Sequence, residues 1–104
     1  MRPDWTVSKA KRPGEEFRIS YNFANDVEVS DSYASHVITA TDVQAGTDVS
    51  ATFLQGPTRI GSTGAILGVQ VQGGADGKDY DVLFQLTTTQ GDVFQRVVRV
   101  SVRA

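Results

Sequence analysis

From Ala65 to the end of the chain, apolar and polar residues alternate with a period of two, and clusters of turn-forming residues divide the run. Leu67, Val69 and Val71 are interleaved with Ile66, Gly68, Gln70 and Gln72. After Gly73-Gly74-Ala75-Asp76-Gly77-Lys78-Asp79 come Tyr80, Val82, Phe84 and Leu86 at every second position. Thr88-Thr89-Gln90-Gly91-Asp92 then turns the chain into a last segment carrying Phe94, Val98, Val100 and Val102. Successive side chains of a strand point to opposite faces, so this pattern predicts three strands of an antiparallel sheet with one buried face. It commits the chain to an all-β architecture.

The same period extends upstream. Phe17, Ile19, Tyr21 and Phe23 face one way, and Glu16, Arg18, Ser20 and Asn22 the other. Asn25-Asp26 marks a turn, followed by a polar loop to Asp31-Ser32. Tyr33 to Asp42 is a strand with either His36, Ile38 and Ala40 or Val37, Thr39 and Thr41 inward; Ile38, the best core residue there, favours the first set. Gln44 to Asp48 is a turn, and Val49, Ala51 and Phe53 predict another strand. Gln55 to Gly64, with Gly56-Pro57, Gly61 and Gly64, is expected to be a long loop or a short edge strand.

Six strands, with a seventh in the 55–64 region, must bury their apolar faces against another layer, and a chain of 104 residues suits one such domain. Asp76-Gly77-Lys78-Asp79-Tyr80 delivers a tyrosine as an alternating strand begins. That is the arrangement of the tyrosine corner in immunoglobulin-like and fibronectin type III domains, the alternative being a tyrosine that simply packs at a strand start. The expected fold is an immunoglobulin/fibronectin III-like β-sandwich of about seven antiparallel strands over residues 16–104.

Residues 1–15 lack the alternation and hold Pro3, Pro13, Gly14 and a basic cluster. They are expected to form an extended N-terminal arm, either a frayed terminus or a docking arm whose removal leaves the sandwich folded. Trp5, Lys9, Lys11 and Arg12 are its candidate contact residues, since aromatic anchors are favoured at interfaces.

No catalytic constellation assembles. The formal charge of −2 calls for neither nucleic acid nor an anionic membrane, and no apolar run approaches the ~20 residues that span a bilayer. Met1-Arg2-Pro3-Asp4-Trp5 carries no signal-peptide apolar stretch. Without cysteine there is no disulfide, thiol nucleophile or thiolate metal site. His36, the one histidine, has no second histidine to share a metal and no assigned serine partner. Gly73 to Lys78 fails as a phosphate loop: the glycine spacing is one short, Asp79 stands where Ser or Thr binds magnesium, and a strand follows. Asp76, Asp79 and Asp81, with Asp26 or Asp31, lack calcium-loop spacing. Arg99 and Arg103 on one face of the last strand are expected to be solvated charges that discourage edge aggregation. No cofactor, metal or catalytic residue is expected.

Lys11-Arg12-Pro13-Gly14-Glu15, Ile19-Ser20-Tyr21-Asn22-Phe23, Ser32-Tyr33-Ala34-Ser35, the Gly73–Tyr80 turn, Leu86-Thr87-Thr88-Thr89-Gln90-Gly91 and Arg96 to Val102 follow one another in a recognisable order. The series resembles small virion proteins of tailed bacteriophages and prophages, of the fibre–tail adaptor or minor structural kind. The likeness spans residues 11–102, is most specific over Gly73–Val102, and is poor from Asp42 to Gly64. It implies a non-enzymatic virion protein assembled in the host bacterial cytoplasm. Its implied partners are other tail, neck, fibre or capsid proteins, met in multiple copies or a homo-oligomeric ring. The other reading is a fibronectin III-like or bacterial Ig-like binding or spacer module from a larger surface protein.

Overall fold

Eight strands and one helical turn make up the computed structural model, which describes residues 7–23, 32–60 and 66–104. They are β1 (Val7–Lys11), β2 (Phe17–Asn22), β3 (Tyr33–Asp42), β4 (Thr47–Asp48), α1 (Ser50–Phe53), β5 (Leu54–Ile60), β6 (Ile66–Val71), β7 (Asp79–Thr88) and β8 (Val93–Val102). A five-stranded sheet has the order β1-β8-β7-β3-β4, and a three-stranded sheet the order β2-β6-β5. Pairing is antiparallel except between β1 and β8, which run parallel from Val7↔Val98 to Lys11↔Val102.

The core is the set of inward positions given by the two-residue period. From the small sheet it takes Ile19, Leu67, Val69 and Val71; from the large sheet Ile38, Ala40, Tyr80, Val82, Phe84, Leu86, Val98, Val100 and Val102. Phe23 and Phe53 close it at the ends of their elements, and Phe17, Tyr21 and Phe94 pack against it half-buried. Phe84 alone, wholly enclosed, contributes about 1.5–3 kcal/mol of burial. In β3 the set with Ile38 and Ala40 is the inner one, which leaves Val37 facing outward.

Three expectations need correction. First, β6 and β7 are not neighbours in one sheet: β6 pairs with β2 and β5, and β7 with β3 and β8. The glycine-rich turn is therefore a crossover between layers. Alternation cannot reveal this, because strands on both sides of a sandwich turn every second residue into the same core.

Second, Val49, Ala51 and Phe53 do not form a strand. Asp48 Oδ1 accepts the Ser50 N–H at 2.8 Å, and the Ser50 hydroxyl oxygen accepts the Ala40 N–H at 2.8 Å. These side-chain bonds divert the backbone into a turn, closed by Phe53 N–H donating to Val49 C=O at 2.9 Å. Val49 and Phe53, four apart, stay on the inner face of that turn while Ala51 swings out.

Third, the boundary between arm and sandwich does not fall at residue 15. Residues 7–11 are a strand of the large sheet, and Arg103 N–H donates to Lys11 C=O at 2.9 Å just beyond it. Hydrophobic alternation is a poor guide to a short edge strand such as β1, whose ladder bonds need no apolar side chain. Of the 55–64 region, the described part up to Ile60 belongs to the edge strand β5, with a register shift between Gln55 and Thr58 at the Gly56-Pro57 step. Trp5, the Asn25-Asp26 turn, Asp31, Gly61 and Gly64 lie outside the described residues.

Candidate functional site

Of the four residues predicted for a docking arm, Trp5 lies outside the described residues, and the other three are differently engaged. Lys9 lies exposed on β1 with its ammonium 5.7 Å from the centroid of the Phe17 ring. Arg12 is exposed too, and its backbone N–H donates to Glu15 Oε1 at 2.7 Å. Lys11 is the exception, only 2% exposed. Its Nζ donates to Gly73 C=O at 2.7 Å, Arg12 C=O at 2.9 Å and Pro13 C=O at 3.2 Å. Burial lowers its pKa from the ordinary lysine value, against the opposing pull of Glu15 and Glu16. Lys11 is thus an internal pin between β1 and the crossover turn. Sequence reasoning missed this because an ammonium satisfied by three carbonyls looks, in one dimension, like any other surface cation.

At the far end of that pin sits the tyrosine. Tyr80 is buried, stacks on Phe53 with ring centroids 4.4 Å apart, and its hydroxyl oxygen accepts the Ala75 N–H at 2.9 Å. The bond reaches five residues upstream and ties the crossover to the strand that follows it. Gly77 N–H donates to Val102 C=O at 2.9 Å and Lys78 N–H to Ala75 C=O at 3.2 Å. Three of the amides that a phosphate loop would aim at an anion, those of Ala75, Gly77 and Lys78, are consumed by the protein itself.

The aspartates are similarly engaged. Arg99 makes a bidentate pair with Asp81 at 2.8 and 3.0 Å, which raises the arginine's pKa. Arg103 meets Asp79 at 3.1 Å, and Lys78 meets Asp42 at 3.1 Å. The Ala45 N–H, then Lys78, hold the Asp42 carboxyl below its ordinary pKa; a Ser101 hydroxyl bond does the same for Asp79. Asp76 Oδ1 accepts the Ala104 N–H at 2.8 Å. His36 Nδ1 and the Tyr33 hydroxyl share a hydrogen bond of 2.7 Å. Among the described residues no group of three His, Cys, Asp or Glu side chains could hold a metal ion.

What the large sheet does present is an outer face graded from neutral to charged. The register sets Ser35, Thr87 and Val93 in one row and Val37, Gln85 and Gln95 in the next, with Thr39, Leu83 and Val97 in a third. Val37 and Val93 are 52% and 53% exposed. Gln95 donates to Gln85 Oε1 at 2.7 Å between them. Charge enters only with the Asp81–Arg99 row and the Asp79–Arg103 pair at the other end. The parity that places Ile38 in the core already puts Val37 on this face, and that signal was available in the sequence.

Strand order and the tyrosine bond together define the class. β2, β6 and β5 correspond to strands B, E and D, and β8, β7, β3 and β4 to G, F, C and C′ of an immunoglobulin-like β-sandwich. The chain belongs to the family described as podophage GP4 fiber-tail adaptor protein gp77, whose model matches residues 11–101. It is thereby a structural component of the virion, with other virion proteins such as tail and fibre as partners. Among curated proteins none matches. Of solved structures, the chain is similar to that titled "Crystal structure of the ZIG-8 IG1 homodimer", with a TM-score of 0.44 and 13% identity. The match covers 94% of this chain and 79% of that one.

Proposed function

We propose that the chain is a non-enzymatic adaptor that works by docking alone, with the outer face of the large sheet as its principal contact surface, repeated in a symmetric assembly. The observation that carries this reading is the pair of exposed valines, Val37 and Val93, set in neutral rows on the face built by the three longest strands. Each of β3, β7 and β8 has ten residues. Three such strands span about 14 Å by about 33 Å, a little over half of the ~800 Å² per partner of a standard interface. Interfaces deplete charge where they bury most surface, and the neutral rows around Val37 and Val93 meet that requirement, with the Asp81–Arg99 row as a charged margin at one end. The segment before β1, with Trp5, supplies a second, tethered contact.

The double variant Val37→Lys/Val93→Lys tests it. Both side chains point away from the core, so the melting temperature is expected to hold while incorporation into particles, measured by immunoblot of purified virions, falls at least about tenfold, the effect of ~1.4 kcal/mol at a docking surface. Normal incorporation of a folded double variant refutes the face. Deletion of residues 1–6 tests the tether separately, because it spares β1 and Lys11.

A further inference from the structure

We infer that the seam between β1 and β2 is a second docking site, one that takes an extended acidic segment of another protein as an added strand on β2. The inference deepens the adaptor reading, since a bridge between two components needs two separate surfaces, and it names the chemistry of one partner.

The sandwich has four sheet edges: β1 and β4 in the large sheet, β2 and β5 in the small one. Exposed edges recruit foreign strands unless something blunts them. β4 is two residues long, and β5 carries Gly56-Pro57 with a break in its register. β2 has no such device. Its six residues keep an unbroken register with β6, from Phe17↔Val71 to Asn22↔Ile66, without proline or glycine. Among the described strands it pairs with β6 alone.

Alongside that edge runs a groove of about 270 Å³, lined by Arg18, Ile19, Ser20 and Tyr21 of β2, Lys9 of β1 and Val98 of β8. Ile19 and Val98 are buried core residues, so they supply an apolar floor. Lys9 and Arg18 supply positive walls. At the Tyr21 end Arg96 is engaged within the chain, its Nε donating to the Tyr21 hydroxyl at 3.1 Å and its guanidinium 5.6 Å from the ring centroid. Toward the Lys11 end, Glu15 accepts the Arg12 N–H, and Glu16 accepts from Gln70 at 3.4 Å. A chain of net charge −2 thus sets Lys9 and Arg18 against a strand edge that no described strand covers. Main-chain hydrogen bonds to β2 would supply binding, and carboxylates opposite Lys9 and Arg18 the choice of partner.

The test uses the full chain and two fluorescein-labelled octapeptides, one alternating valine with glutamate and one alternating valine with lysine. Fluorescence anisotropy is expected to show binding of the glutamate peptide alone, weakened at least about fivefold between about 50 mM and about 500 mM salt. Bound peptide is expected to slow amide exchange at residues 18–21. Lys9→Glu/Arg18→Glu is expected to weaken binding at least about tenfold with an unchanged melting temperature, while Val37→Lys leaves it intact. Equal binding of the lysine peptide, or no binding of either, overturns the proposal. So does protection at Val37 and Gln85 in place of 18–21. Concentration-dependent self-association that protects residues 18–21 without any peptide also overturns it, by assigning the edge to a second copy. None of these outcomes touches the Val37/Val93 experiment, so the two readings fail independently.

Discussion

Gly74 and Gly77 occupy one turn and share one backbone conformation, with φ of +90° and +87°, yet their surroundings differ completely. A Cβ at Gly74 would stand 2.9 Å from Val102 Cγ2, 3.1 Å from Phe53 Cε1 and 3.2 Å from Tyr80 Cε2. All three neighbours are buried, so none can yield by swinging into solvent. A Cβ at Gly77 would meet nothing within 4 Å. Placing an L-residue at either φ costs about 1–2 kcal/mol. Overpacking at Gly74 adds about 1–3 kcal/mol more. Gly74→Ala is therefore expected to lose ~2–5 kcal/mol and Gly77→Ala ~1–2 kcal/mol. In a domain of this size each kcal/mol moves the melting temperature by about 4–8 °C, so the two variants should melt well apart. Urea unfolding followed by far-UV circular dichroism measures both. If the two cost the same, the close approach of the crossover to β8 is not what fixes this corner, and the packing argument fails.

Lys11→Met keeps the buried stem and removes the donor from three carbonyls. A loss of about 2–3 kcal/mol is expected in the same urea assay, and an unchanged midpoint would show that the ammonium is not a pin. Asp42 has a folded pKa below its ordinary 3.8, so the stability it contributes is present above that value and is lost as pH falls through the lower folded one. Asp42→Asn is expected to flatten the acid side of the stability–pH curve; an identical acid limb in both proteins would contradict the assignment.

Most of the sandwich was legible because the core is written at every second position. Ile38, Phe84 and Val100 could be placed inward from spacing alone, and each is buried. Sheet membership was not legible, since β6 and β7 carry the same alternation whichever layer they join. The burial of Phe53 does not distinguish the two conformations: both a strand and a helical turn from Val49 bring it inward, and the Asp48 and Ser50 side chains decide between them. β1 was not legible because its place is set by backbone bonds to β8 and by Lys11, whose ammonium reaches the Gly73 carbonyl 62 positions away in sequence. The exposed Val37 was legible, being the odd apolar residue on the polar face of β3. The groove at β2 was not, as it exists only where β1, β2 and β8 converge.

The parallel pairing of β1 with β8 also fixes how the domain answers tension. Traction between Val7 and Ala104 draws β1 backward and β8 forward along a common line, because the two strands run the same way. Their hydrogen bonds, from Val7↔Val98 to Lys11↔Val102, are then loaded together in shear. An antiparallel terminal pair joined at a hairpin would instead unzip one bond at a time. This short edge strand is a mechanical latch that resists pulling along the chain far better than peeling from the side.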